Sequence, residues 1–234
     1  MKLSVPIYRL KRRARLLARG ENIPLHAALD RVARDEGHAT WSLLASRAEP
    51  SLSPATILSR LSEGDLLLLG ARPAQGKTML GLRILLDAAR EGRKAVFFTL
   101  EYSEAEARRR IRSLDEHQAG KVEIVTSEDI AAAFIVNYLS GAPRGTVAVI
   151  DYLQLLDQQR SKPALPEQIE MLRSFARTSG TILCFLSQID RGFDPDTDPV
   201  PEIRHVRLPN PVEPSFFSKA CFLHGGGVGF RELP

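Results

Sequence analysis

A lysine and a threonine stand side by side at positions 77 and 78, directly behind Gly76 and a few residues after the apolar run DLLLLG (65–70). The lysine can neutralise phosphate, the threonine hydroxyl can hold a hard metal cation, and the glycine lets backbone N–H groups approach an anion closely. The text that follows, MLGLRILLDAA, repeats its apolar residues at helical spacing. A helix N-terminus, with its positive dipole end, would therefore face the same spot. Strand, loop, lysine, hydroxyl and helix are the parts of a phosphate loop. The stretch Ala71, Arg72, Pro73, Ala74, Gln75, Gly76, Lys77, Thr78 and Met79 is expected to wrap the phosphates of a nucleoside triphosphate, ATP with Mg²⁺. The general pattern opens on glycine, and Ala71 stands in that place.

Three further polar groups follow apolar runs. Asp151 ends Val147–Ile150, where a carboxylate could hold Mg²⁺ beside Thr78. Glu101 ends AVFFTL (95–100), where it could orient an attacking water and take its proton; its other reading is a capping acid before Ser103 and Glu104. Gln188 follows TILCFL (181–186), where an amide could bond the γ-phosphate; its other reading is a plain loop residue. Lys77, Glu101 and Gln188 are thus the candidate catalytic set, and Thr78 and Asp151 the candidate metal set.

These groups need a frame. Five apolar runs, at 65–70, 95–100, 122–125, 147–150 and 181–186, alternate with helical patterns at about 77–91, 103–115, 128–140 and 165–178. Most runs are continuous rather than alternating, as strands buried on both faces are, so an α/β fold with a mainly parallel central sheet flanked by helices is expected over residues 55–234. A Pro/Ser-rich stretch at 49–54 marks the boundary of a small basic helical module over residues 1–50. Its apolar residues fall at helical spacing in Leu10–Ala18, in Leu25–Val32, and after Thr40, a candidate cap. The text IPLHAALDRVARDEGHATWSLLA resembles a small helical module fused to unrelated bacterial proteins.

ARPAQGKT, FFTLE, VIDYLQLL and FLSQIDR, in that order, resemble the motor domain of DnaB-like replicative helicases within the RecA-like ATPases. The resemblance implies that the Gln188 strand lies between the phosphate-loop strand and the Asp151 strand. It also implies ATP hydrolysis with Lys77, Thr78, Glu101, Asp151 and Gln188 in the roles above. Ala71 in place of glycine is familiar in that family. Other features depart from it. Such helicases carry further strands after the Gln188 strand and an arginine finger for the neighbouring subunit; in the closing text KACFLHGGGVGFRELP, Arg231 matches no finger motif. The first 50 residues do not look like the family's larger N-terminal assembly domain. The loop after Gln188 is acidic, with Asp194, Asp196, Asp198 and Glu202 ahead of Arg204, His205 and Arg207, while Arg160 and Lys162 follow Asp151.

Composition excludes little. The net charge is +4 among 234 residues, with seven basic residues before the first acidic one, Glu21. That block suits either a phosphate partner or a solvated helix face. Cys184 and Cys221 lie in apolar runs and read as small buried hydrophobes, and the five histidines are scattered. With no membrane span and no secretory signal legible, a cytoplasmic protein is expected. The expected partners are ATP, single-stranded DNA, and a homo-oligomer or another protein. Two functions stay open: an ATP-hydrolysing motor acting on or near DNA, and a nucleotide-gated binding module with little turnover. A kinase reading lacks a legible lid or acceptor pocket, and the Arg108–Arg110 run with Arg112 reads as helix surface.

Overall fold

A computed structural model describes residues 4–5, 7–47, 54–151, 153, 163–190, 201, 203–206, 213–224 and 227–233. The chain divides into two compact units that part between residues 51 and 52.

The smaller unit contains α1 (Ile7–Gly20), α2 (Leu25–Asp35) and α3 (Trp41–Arg47). Asn22 has a positive φ of 52° and Gly37 one of 81°, so the chain reverses after α1 and after α2 at the residues that tolerate this conformation best. Leu10, Ala14, Ala28, Val32, Ala33 and Leu44 form its core. Asp30 accepts the Trp41 N–H at 2.8 Å and Thr40 Oγ1 that of Leu43 at 3.3 Å, so two side chains fix the start of α3.

The larger unit is built on seven strands. Five lie where the apolar runs predict them: β1 (Leu66–Ala71), β2 (Ala95–Thr99), β3 (Val122–Val125), β4 (Val147–Asp151) and β5 (Ile182–Gln188). The closing text, in which the sequence reading finds no strand, forms β6 (Lys219–His224) and β7 (Gly227–Glu232). The sheet order is β3-β2-β4-β5-β1-β6-β7, parallel except for β7 against β6. The Gln188 strand therefore does lie between the phosphate-loop strand and the Asp151 strand. The two late strands escape pattern reading because glycines at 225–227 and 229 break the apolar run.

Alternate residues of each strand feed opposite cores. Leu67, Leu69, Phe97, Val149 and Leu186 pack under α4 (Pro54–Leu58), α5 (Lys77–Arg90) and α6 (Glu104–Leu114). Leu66, Leu68, Phe98, Ile150 and Phe185 pack under α7 (Ala132–Leu139) and α8 (Leu165–Ser179). Helix α7 starts later than the periodicity suggests, at Ala132, where the buried Gln168 amide of α8 accepts the Ala132 N–H at 3.1 Å.

Strand β6 is tied to the start of β1 by a polar cluster. Asp65 accepts from Ser218 Oγ at 2.7 Å and pairs with Lys219 Nζ at 2.8 Å, and Ser218 Oγ accepts the Leu66 N–H at 3.1 Å. Contact is close further along the same pair. Gly70 is in register with Phe222, and a Cβ at Gly70 would stand 2.7 Å from the Phe222 ring. Gly70→Ala should therefore cost about 1–3 kcal/mol through overpacking. Phe222→Leu should recover part of that loss in a double-mutant cycle of urea denaturation, and additive effects would contradict the contact.

Candidate active site

The C-terminal ends of β2, β4, β5 and β1 lie in a row, and each carries one of the polar groups singled out above. The edge beyond such parallel strands is where ligands bind in open α/β sheets. Ala71 is the last, fully buried residue of β1, and the loop from Pro73 to Gly76 is exposed. Gly76 has φ 88° and ψ 18° with open space around a would-be Cβ, so the backbone angle, rather than crowding, demands glycine. Ala74 also has a positive φ, 62°, which costs an alanine about 1–2 kcal/mol. No side chain caps α5, so its opening turn presents N–H groups and its positive dipole end to the loop. Gly81 lets α5 lie close to the sheet: a Cβ there would approach Val149 and Leu186 to 3.1 and 3.2 Å.

Lys77, Thr78 and Asp151 converge. Asp151, fully buried, accepts from Lys77 Nζ at 3.1 Å through Oδ1 and from Thr78 Oγ1 at 2.9 Å through Oδ2. A buried carboxylate requires such partners, and both of its oxygens have one. Glu101 Oε2 lies 3.8 Å from Lys77 Nζ. Partial burial, reinforced by the charge of Asp151 and opposed by Lys77, holds the Glu101 carboxyl above the usual carboxylate range. Glu101 is not the cap of α6. Ser103 caps that helix in a closed box with Glu106, the Ser103 N–H donating to Glu106 Oε2 at 3.0 Å. Gln188 is the last residue of β5 rather than a loop residue. It stands opposite Ala71, and the Ile189 N–H donates to the Ala71 carbonyl at 3.0 Å, which fixes that strand end beside the phosphate loop.

Thr99 is a site residue that the sequence reading misses. It is fully buried, in register with Asp151, and its Oγ1 accepts the Glu101 N–H at 3.1 Å. A threonine two residues before an acid, at a strand exit, is the available signal. Arg108 departs from its expected surface role: it is half-buried and donates to the carbonyls of Ala119 and Val122 at 2.6 and 2.7 Å. His205 belongs to the turn Ile203–His205, and its carbonyl accepts the Asp190 N–H at 2.7 Å. Arg160, Lys162, Asp194, Asp196, Asp198, Glu202 and Arg207 lie outside the described residues.

The oxygen ligands on hand, one carboxylate and one hydroxyl, suit Mg²⁺, which takes few protein ligands and completes its shell with phosphate and water. In keeping with that, the described residues hold no cluster of three or more His, Cys, Asp or Glu groups of metal-binding form. Cys184 and Cys221 are free and buried under α5, and burial pushes the Cys221 thiol up to about 12. Among the described residues no helix is long and apolar enough to cross a membrane.

Comparisons with known proteins agree with this geometry. Residues 55–129 match the family model of the DnaB-like helicase C terminal domain. The chain is 24% identical over 189 residues to the replicative DNA helicase DnaB of Helicobacter pylori, a match spanning 66% of this chain and 39% of that relative. The solved ATPase domain of a helicase aligns with a TM-score of 0.57 at 18% identity, over 77% of this chain and 79% of its own. A KaiC-like protein from Pyrococcus horikoshii aligns with a TM-score of 0.52 at 19% identity, over 73% and 80%. At these identities the two structures speak for the fold alone. Fold and site together define a P-loop ATPase domain of the RecA-like class. Within that class, the chain carries a DnaB-like helicase domain.

The raised Glu101 carboxyl has a consequence for stability. A carboxyl held above its unfolded value favours the folded state at low pH, and that contribution is lost as pH rises through the folded value. Glu101→Gln should therefore raise the melting temperature of the nucleotide-free protein near neutral pH. The gain should shrink to nothing as pH falls below the ordinary value of 4.5. A gain that grows on acidification would contradict the burial argument.

Proposed function

We propose that this protein binds ATP with Mg²⁺ and hydrolyses it, acting on or near DNA. The observation that carries the reading is the convergence of Lys77, Thr78 and Glu101 on the buried Asp151. In the proposed mechanism the loop Arg72–Gly76 and the first turn of α5 hold the phosphates with backbone N–H groups, and Lys77 leaves Asp151 for the outer phosphates. Thr78 and Asp151 hold Mg²⁺, which supplies charge neutralisation at the β- and γ-phosphates. Glu101 orients a water and accepts its proton as the water oxygen bonds to the γ-phosphorus and the bond to ADP breaks. Gln188, at the end of the strand between the loop and Asp151, bonds the γ-phosphate and registers its loss. DNA as the polymer is supported by the relative named a replicative DNA helicase, of which this chain spans 39%.

Lys77→Ala should abolish hydrolysis and weaken ATP binding. Glu101→Gln should keep binding and lower turnover by about 10²–10⁴-fold, the range for a lost general base. Both are read by steady-state phosphate release and nucleotide titration, with and without single-stranded DNA. DNA stimulation supports a motor. A flat, near-zero rate with tight ATP binding supports a nucleotide-gated binding module instead, and full activity in Glu101→Gln overturns the assignment of the base.

A further inference from the structure

The positive charge of this chain is not spread evenly. Residues 1–50 hold ten basic and five acidic residues, against 22 and 23 in the remainder. Much of the excess lies on one helix. Helix α1 contains Arg9, Lys11, Arg12, Arg13, Arg15 and Arg19 and no acidic residue. Leu10 and Ala14, with the partly buried Leu17 and Ala18, turn into the core of the smaller unit. Arg9, Arg12, Arg13, Leu16 and Arg19 recur at three- and four-residue steps on the opposite face, and all five are exposed. Over ten residues that row spans about 15 Å. Like charges at these spacings repel one another and weaken a helix. Among the described residues Arg13 finds a counter-charge, Asp35 at 2.7 Å, and no ion pair is formed by Arg9, Arg12 or Arg19.

We propose that this face of α1 binds the phosphodiester backbone of a nucleic acid, independently of the ATP site. A polyanion supplies the counter-charges that the helix lacks. Guanidinium groups, which dominate the row, match phosphate with paired hydrogen bonds. A lipid surface fits less well. An interfacial helix buries its apolar face in the bilayer, but that face of α1 already packs on Ala28, Val32 and Leu44. Leu16, 60% exposed, is left as one apolar residue amid the arginines. The contact is to backbone phosphates, so it carries affinity and salt dependence rather than sequence preference.

The test uses the full chain. Fluorescence anisotropy with oligodeoxythymidine and with a random-sequence duplex is measured over a range of salt concentrations. Substituting Arg9, Arg12 and Arg19 together with glutamine should weaken binding and reduce the salt slope, by about 2 on single strands and about 3 on duplex. The two probes report which form of nucleic acid uses the face. The triple lysine variant should keep the slope, which separates loss of charge from loss of fold. Basal ATP hydrolysis should match wild type in both variants, because these residues lie outside the ATP site. An unchanged slope in the glutamine variant overturns the proposal. So does binding to phosphatidylserine vesicles that the same substitutions abolish while nucleic-acid binding stays intact.

Discussion

A buried carboxylate governs the larger unit. Asp151 ends a strand in the middle of the sheet with no exposure to water, and an unpartnered charge there would cost several kcal/mol. Lys77 and Thr78 reach it from the first turn of α5, although their own strand, β1, is separated from β4 by β5. The requirement therefore acts across three strands. It fixes how deep α5 can sit, which is why Gly81 must lie within a methyl group's reach of Val149 and Leu186. It also fixes the loop ahead of α5, which must turn sharply enough to deliver Lys77, and Gly76 supplies that turn with a positive φ.

Burial on both faces makes such a centre possible. Because the parallel strands have helices above and below, β1 and β2 are apolar at nearly every position and polar groups appear only at their ends. The chemistry is thereby confined to the C-terminal edge, and the opposite edge does structural work. At that opposite edge Asp65, Ser218 and Lys219 anchor β6 to β1, although more than 150 residues separate the anchors in sequence. Those residues hold two strands in register and lie at the far end of β1 from the phosphate loop.

The same logic decides what was legible in the sequence. Five strands could be found because each combines a continuous apolar run with a following helix, and four of the site residues because each stands where such a run ends. β6 and β7 could not be found. Their burial rests on fit rather than hydrophobicity: Gly70 leaves room for the Phe222 ring, and Gly229 pairs with Phe222 across the hairpin. Glycine in that role reads locally as a strand breaker. Thr99 was hidden for a related reason, since a β-branched residue at a strand end looks like sheet propensity until the hydrogen bond from Glu101 is seen. Arg108 was hidden inside a run of arginines, where sequence cannot tell the one that bonds two carbonyls from its solvated neighbours.

Depth separates the two acids of the site. Thr99 and Asp151 are register partners, so Glu101 begins two residues further out along the strand direction than Asp151. A chain leaving β2 straight would carry its carboxylate away from the site. The Thr99 hydroxyl, by accepting the Glu101 N–H, turns the chain at the strand exit, and the carboxylate ends 3.8 Å from Lys77 with its side chain 28% exposed. Asp151 has both oxygens engaged within the protein, which suits a fixed anchor. Glu101 keeps contact with water, and burial together with the charge of Asp151 raises its proton affinity. Two like-charged groups whose surroundings differ in this way can divide one reaction between them, the inner one holding charge in place and the outer one exchanging a proton with water. On the proposed mechanism, that division follows from a two-residue offset between neighbouring strands.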